Sequence, residues 1–109
     1  MSGRIRLERE AVEDLEVAVE HYAEKAGEDV ALRFVETTEH AFSLLAEHPE
    51  MGRRYEVALH PRLRDVRVWP LRDFPYLVFY QVLDETVLVL ALVEAHQDLP
   101  EFFRKRWNP

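Results

Sequence analysis

The chain has 109 residues and a mass of 12.9 kDa, so we expect residues 1–109 to form a single domain. Its 48% hydrophobic and 32% charged content is that of a folded soluble protein, which argues against wholesale disorder. The net charge of −7 argues against a general nucleic-acid coat, and the lack of cysteine excludes disulfides, Cys-ligated metals and thiol catalysis.

The first half of the chain is predicted to be a short strand followed by a helical hairpin. Arginines alternate with Ile and Leu over residues 4–7, which predicts the strand. Apolar residues at three- and four-residue steps predict an amphipathic helix over residues 10–26, ended by Gly27. Asp29 is predicted to cap a second amphipathic helix, which ends near Pro49.

The second half is predicted to be three antiparallel strands and a terminal helix. β-branched and aromatic runs over residues 64–69, 76–83 and 86–95 predict a meander, and the last two runs are apolar enough to be central. A short helix is predicted over residues 101–107, with Asp98 as its N-cap. The order β-α-α-β-β-β-α predicts an α+β fold, with helices on one face of a small, mainly antiparallel, curved sheet.

Charge is distributed unevenly along the chain. Residues 8–50 hold 13 acidic and three basic residues, whereas residues 51–80 hold six arginines and three acidic residues. Twelve of the 14 basic residues are arginine, which favours planar, bidentate recognition of anions. This pattern indicates either an ordinary solvated surface or a docking surface for an anionic partner. The arginines of that docking surface are Arg53, Arg54, Arg62, Arg64, Arg67 and Arg72.

Few side chains have the spacing of a catalytic or cofactor site, and we expect neither a metal nor another cofactor. The histidines are scattered and form no HExxH pattern. They are His21, His40, His48, His60 and His96. The three glycines form no phosphate-binding loop, and the only serines, Ser2 and Ser43, are poorly placed for a hydrolase. No stretch resembles a signal peptide or reaches the roughly 20 apolar residues of a membrane span, so we expect a cytoplasmic protein.

His96 is the one candidate acid–base group. It stands where the last predicted strand ends, beside Gln97 and Asp98. A histidine near a basic sheet could transfer protons on an anionic substrate. The simpler interpretation is a histidine that hydrogen-bonds within its own turn.

Four stretches occur in a specific order and spacing. The first is Ala11-x-x-Asp14-Leu15, followed by Tyr22. The second is Ala31-x-x-Phe34, with Leu45-x-x-x-Pro49-x-x-Gly52 further along. The third is Leu63-Arg64 with Phe74-Pro75-Tyr76-Leu77-Val78-Phe79-Tyr80, and the fourth is His96-Gln97-Asp98 after the closing strand. Together they resemble the ParE branch of the RelE/ParE superfamily, the toxins of type II toxin–antitoxin systems.

The resemblance implies a toxin that arrests growth and acts in plasmid stabilization. Members of the superfamily either cut messenger RNA on the ribosome or, on the ParE branch, inhibit DNA gyrase without being enzymes. An antitoxin neutralises them by wrapping a segment around the toxin. The acidic net charge disfavours contact with ribosomal RNA, so we expect a gyrase inhibitor that binds no nucleic acid by itself.

The expected effector surface combines sheet arginines with the basic C-terminal segment. Its residues are Arg64, Arg67, Arg72, Arg104, Lys105, Arg106 and Trp107. Trp107 either anchors this interface or packs back on the sheet. In the alternative, a ribosome-dependent endonuclease, His96 is the catalytic acid or base, and Arg64 and Arg67 stabilise the phosphate charge.

A third possibility is a non-toxic remnant that only binds an antitoxin. For the cognate antitoxin we expect an amphipathic segment that lies on apolar strips between the helical hairpin and the sheet. Acidic residues of that segment would then pair with the arginines.

Overall fold

The computed structural model describes residues 3–56, 61 and 63–107. Within these residues, five strands form one sheet, with a helical hairpin on one face and a short helix on the other. In chain order the elements are β1 (Arg4–Leu7), α1 (Arg9–Ala26), α2 (Glu28–Glu47), β2 (Arg53–Arg54), β3 (Arg67–Pro70), β4 (Tyr76–Leu83), β5 (Thr86–Glu94) and α3 (Leu99–Trp107). A single 3-10 turn, Pro49–Met51, joins α2 to β2.

The strand order in the sheet is β1-β5-β4-β3-β2. β3, β4 and β5 form the predicted antiparallel meander, and β4 and β5 occupy central positions as expected. β1 adds to β5 in parallel, and the two-residue β2, which was not predicted, pairs with β3. The predicted α+β class is therefore confirmed, and the predicted elements follow one another in the predicted order, with β2 added and a mixed sheet.

Gly27 both ends α1 and begins α2. Its φ of 96° lies in the left-handed region that glycine adopts without a steric penalty. The prediction of Asp29 as the cap is wrong, because the helix begins at Glu28 and the Ala31 N–H donates to the Gly27 carbonyl at 3.1 Å. Asp29 lies in the first turn instead, where an acidic side chain favours the helix dipole.

The two faces of the sheet hold separate apolar clusters. Tyr80 and Val78 of β4 pack with α1 and α2, whereas Phe79 packs with Phe103 of α3, which is 2% exposed. The expectation that all helices share one face is therefore wrong for α3. The physical reason is the alternation of β4, which sends large apolar side chains to both faces, so that each face needs a cover.

The strand boundaries differ from the predicted ones where the backbone leaves the extended region. β3 begins at Arg67 rather than at residue 64, because Asp65 has a φ of 54°. The two-residue turn between β4 and β5 lies at Asp84 and Glu85, which both have positive φ, as in a type I′ hairpin.

A bulge interrupts the pairing of β4 with β5. Tyr80 lies opposite Val89 and Phe79 lies opposite Ala91, so the extra residue Leu90 has no partner. As a result, Leu90 and Ala91 both pack in the cluster on the α3 face.

Candidate functional site

A groove of about 590 Å³ lies between α2 and β3. Residues of α2 at four-residue spacing form one wall, because such positions share a helix face. The segment from Trp69 to Arg72 forms the other wall. The apolar lining is Ala41, Leu44, Trp69, Pro70 and Leu71. We call this cavity the α2–β3 groove.

The rim of the α2–β3 groove is polar and carries opposite charges on its two sides. Glu36, with Thr37 and His40, stands on the α2 side, and Arg72 stands on the sheet side. A ligand that filled the apolar floor would therefore meet a negative charge on one flank and a positive charge on the other.

The C-terminal helix exposes two cations. The side chains of Arg104 and Lys105 are 56% and 72% exposed, and we call this pair the α3 cationic face. Glu101 approaches Arg104 at 2.6 Å and Lys105 at 3.9 Å. The three charged side chains therefore form a small surface network. The hydrogen bond from Arg104 lowers the pKa of the Glu101 carboxyl.

The other two residues of the predicted C-terminal group face inward. The Arg106 guanidinium pairs with Asp14 of α1 at 2.7 Å, and each side chain is 14% exposed. The Trp107 ring stacks on Phe103 at 4.9 Å with an interplanar angle of 5°. In the structure, Trp107 thus packs back on the fold.

Arg67 lies in a network that fixes the connection from α2 to the sheet. Its Nη1 donates to the carbonyls of Gly52 at 2.7 Å and Glu50 at 3.2 Å. The buried Tyr80 hydroxyl donates to the Pro49 carbonyl at 2.7 Å and accepts from the Gly52 N–H at 2.8 Å. Burial raises the pKa of the Tyr80 phenol, although the hydrogen bond from Gly52 and the charge of Arg67 act in the opposite direction. Arg67 therefore has a structural role.

His96 is an exposed residue of the turn after β5. Its side chain is 82% exposed, and its Nδ1 lies 2.6 Å from Oε1 of Glu94. This hydrogen bond lowers the pKa of the Glu94 carboxyl. The charge of Glu94, after burial, contributes to the raised pKa of the nearby Tyr22 and Tyr76 phenols.

The three residues of the nuclease alternative do not converge. Arg67 of β3 and Val89 of β5 both pair with Tyr80 of β4, so they lie at the same position along the sheet. His96 follows β5, which ends at Glu94. Tyr80 and Tyr76, the β4 partners of Val89 and Glu94, are four residues apart, which at a rise of about 3.3 Å per residue is about 13 Å along the sheet. The exposed Arg64 precedes β3, near the Arg67 end of the sheet.

Three of the residues considered from sequence lie outside the described residues: Ser2, His60 and Arg62. Across residues 3–56, 61 and 63–107, no group of three side chains is arranged to hold a metal ion. In the same described ranges, no helix has the length and apolar character needed to cross a membrane.

The α2–β3 groove was not assigned to particular residues from sequence. Leu44 was the available signal, since it widens the apolar stripe of α2 beyond the face that packs in the core. Trp69 was a second signal, because a large aromatic residue lies on an outer strand of the meander and is only half-buried. The role of Asp14 was also missed, because its partner Arg106 is 92 residues away.

Comparisons with known proteins agree with the resemblance found in the sequence. The family model described as the ParE toxin of type II toxin-antitoxin system, parDE, matches residues 5–99. A solved structure titled "Chromosomal ParDE TA system from P. aeruginosa" matches with a TM-score of 0.72 and 19% identity, over 87% of this chain and 98% of that chain, which shows a shared fold. No curated protein matches the sequence. Because the family model covers most of its length, the chain belongs to the ParE toxin family of type II toxin–antitoxin systems.

Proposed function

We propose that this ParE-family chain arrests growth by inhibiting DNA gyrase through a protein–protein contact and that a cognate antitoxin neutralises it. The match of the family model over residues 5–99 carries the proposal. The exposed α3 cationic face, Arg104 and Lys105, supports it, because clustered cations on a rigid helix suit an acidic protein surface.

The positions of the acid–base candidates favour binding over catalysis. A general base must lie within hydrogen-bond reach of the proton that it removes. The exposed His96 instead bonds to Glu94, and Arg67 bonds to backbone carbonyls at the other end of the sheet. These contacts support a toxin that acts by occupying a surface of its target.

The α2–β3 groove supports the antitoxin part of the proposal. Its apolar floor and polar rims suit an amphipathic helix laid along α2. The charges on the rims specify that helix further: basic residues should face Glu36 and acidic residues should face Arg72. Trp69 and Leu44 would contact its apolar stripe.

The gyrase contact is tested with purified protein, gyrase and relaxed or supercoiled plasmid. We expect inhibited supercoiling and accumulated cleaved DNA. Reversing the α3 cationic face with Arg104→Glu and Lys105→Glu should weaken inhibition about tenfold or more, since opposed charges at an interface are costly. The matched control, Lys25→Glu with Arg33→Glu on the hairpin, changes the net charge equally and should inhibit like the unaltered chain.

Three outcomes would count against the gyrase proposal. Unchanged supercoiling at a large excess of the unaltered protein would remove gyrase as the target. Overexpression without growth arrest would instead indicate a remnant without toxicity. Loss of toxicity in a folded His96→Ala variant would favour the endonuclease alternative, whereas we expect that variant to stay toxic.

The antitoxin contact is tested with the cognate antitoxin, to be sought as the product of a short reading frame beside this gene. Leu44→Asp places a charge on the groove floor and should weaken complex formation strongly, because a buried unpaired charge is costly. Val17→Asp is the matched control, since Val17 is 67% exposed and lies on α1, outside the groove lining. Equal affinity of both variants for the antitoxin would show that the groove is not its binding site.

A further inference from the structure

The outer edge of β5 is covered by a strand along only part of its length. β1 ends at Leu7, which pairs with Val89, and the Glu8 N–H donates to the Val89 carbonyl at 2.9 Å. The chain then turns into α1, while β5 continues to Glu94. Backbone groups on the remaining edge need other partners, because a buried unpaired N–H or C=O is costly.

Two side chains from opposite ends of the chain supply these partners. Asp14 Oδ2 accepts from the Leu92 N–H at 3.0 Å, and Arg106 Nη1 donates to the Leu90 carbonyl at 3.4 Å. The two side chains also bind each other, Nη2 to Oδ1 at 2.7 Å. One ion pair therefore replaces the missing continuation of β1 and joins α1, β5 and α3.

Neighbouring contacts hold the guanidinium and its helix in one orientation. The Arg106 guanidinium lies 4.8 Å from the centre of the Phe102 ring. Phe103 is buried in the apolar cluster between α3 and the sheet. Successive residues of a helix are about 100° apart, so Arg104 points about 200° away from Arg106. The direction of Arg106 toward Asp14 thus sets the outward direction of Arg104.

We infer that Asp14 and Arg106 are positioning residues that lock α3 to the β5 edge and so orient the α3 cationic face. Asp14 belongs to the first of the four sequence stretches, and this ion pair gives it a physical role. The inference about α3 docking stands on the contacts alone, whereas its consequence for toxicity rests on the proposed function.

Amide hydrogen exchange on the purified full chain tests the inference without reference to toxicity. Asp14→Asn removes the charge but keeps an oxygen that can accept from Leu92. Arg106→Met removes the guanidinium and keeps an apolar stem. In both variants, exchange within α3 should accelerate about tenfold or more relative to α2, since breaking a partly buried ion pair leaves its partner unpaired.

The matched control is Arg104→Met, the same substitution at an exposed arginine of α3. Its exchange in α3 should stay within about twofold of the unaltered chain, because exposed pairs contribute little. If Arg106→Met fails to fold, Arg106→Lys keeps a charge for Asp14 but loses the forked donor, and it should give an intermediate acceleration.

The outcomes distinguish the docking of α3 from its consequence for gyrase inhibition. Unchanged exchange of α3 in both Asp14→Asn and Arg106→Met would overturn the positioning role, and so would an equal acceleration over the whole chain. If the unaltered chain inhibits gyrase, Asp14→Asn should inhibit it more weakly. If the unaltered chain does not inhibit gyrase, the proposed function fails, and the exchange result still decides the docking of α3.

Discussion

Replacement of Gly52 by alanine should destabilise the protein through one buried contact. A Cβ at residue 52 would overlap the Tyr80 hydroxyl and lie 2.7 Å from Tyr80 Cε1. Tyr80 is fully buried, so its ring cannot swing out into solvent. Its hydroxyl also joins the Gly52 N–H to the Pro49 carbonyl, so moving the ring breaks both hydrogen bonds.

The expected cost follows from these contacts. Two lost hydrogen bonds cost about 1 kcal/mol each, and forcing extra volume into a packed core costs about 1–3 kcal/mol more. The free energy of unfolding should therefore fall by about 3–5 kcal/mol, a large part of the about 5–15 kcal/mol typical of a domain. At about 4 °C per kcal/mol, the melting temperature should fall by about 12–20 °C.

Urea unfolding of Gly52→Ala, Tyr80→Phe and the double variant measures this cost and its origin. The double variant should be less destabilised than the sum of the single variants by about 1 kcal/mol or more, because removing the hydroxyl removes part of the overlap. Gly27→Ala is the matched control: it has nothing within 4 Å of its Cβ, so its cost comes from its positive φ and should add to that of Tyr80→Phe. A cost below about 1 kcal/mol for Gly52→Ala, or full additivity with Tyr80→Phe, would refute the reasoning.

Three further predictions concern the end of β5 and α3. Asp98→Ala removes the cap on the Glu101 N–H, 3.1 Å away, and should cost about 1 kcal/mol in urea unfolding; an unchanged midpoint would contradict the cap. His96→Ala should raise the pKa of Glu94 toward its ordinary value of 4.5, as followed by NMR titration of the carboxyl. Because the pKa of Glu94 is lowered in the folded protein, ionised Glu94 stabilises the fold above its unfolded pKa, and this contribution is lost as the pH falls through its folded pKa. In His96→Ala, the free energy of unfolding should therefore fall less steeply as the pH is lowered. Phe103→Ala should cost about 3–5 kcal/mol and weaken the near-UV circular dichroism of the aromatic cluster, whereas a cost below about 1 kcal/mol would contradict its buried position.

Local pattern in the sequence was enough to predict most elements. The hairpin helices have apolar stripes that their own spacing reveals, and β4 has its predicted bounds. The two-residue alternation of a strand predicts Tyr76 and Val78 on one face of β4 and Leu77 on the other, and the two apolar clusters have this arrangement. Asp98 caps α3 as predicted. These features depend on side chains a few residues apart, which sequence order alone brings together.

The features that sequence did not predict depend on partners far apart in the chain. The bulge at Leu90 and the parallel pairing of β1 with β5 arise from register between distant strands, which periodicity does not specify. α3 covers the second sheet face because apolar side chains of β4 and β5 are exposed there without it. The α2–β3 groove likewise exists only where two separate elements fail to pack fully against each other.

The amino-acid order by itself therefore determined the helices, the meander and the family to which the chain belongs. Only the folded chain decided which basic residues are available to a partner. Arg106, Arg67 and Arg104 have the same side chain, yet the first pairs with Asp14 in a partly buried site, the second donates to backbone carbonyls, and the third pairs with Glu101 of its own helix and stays exposed. An arginine is available to a partner when its own ion pair is local and exposed, and it is unavailable when groups from distant parts of the chain bind and cover it.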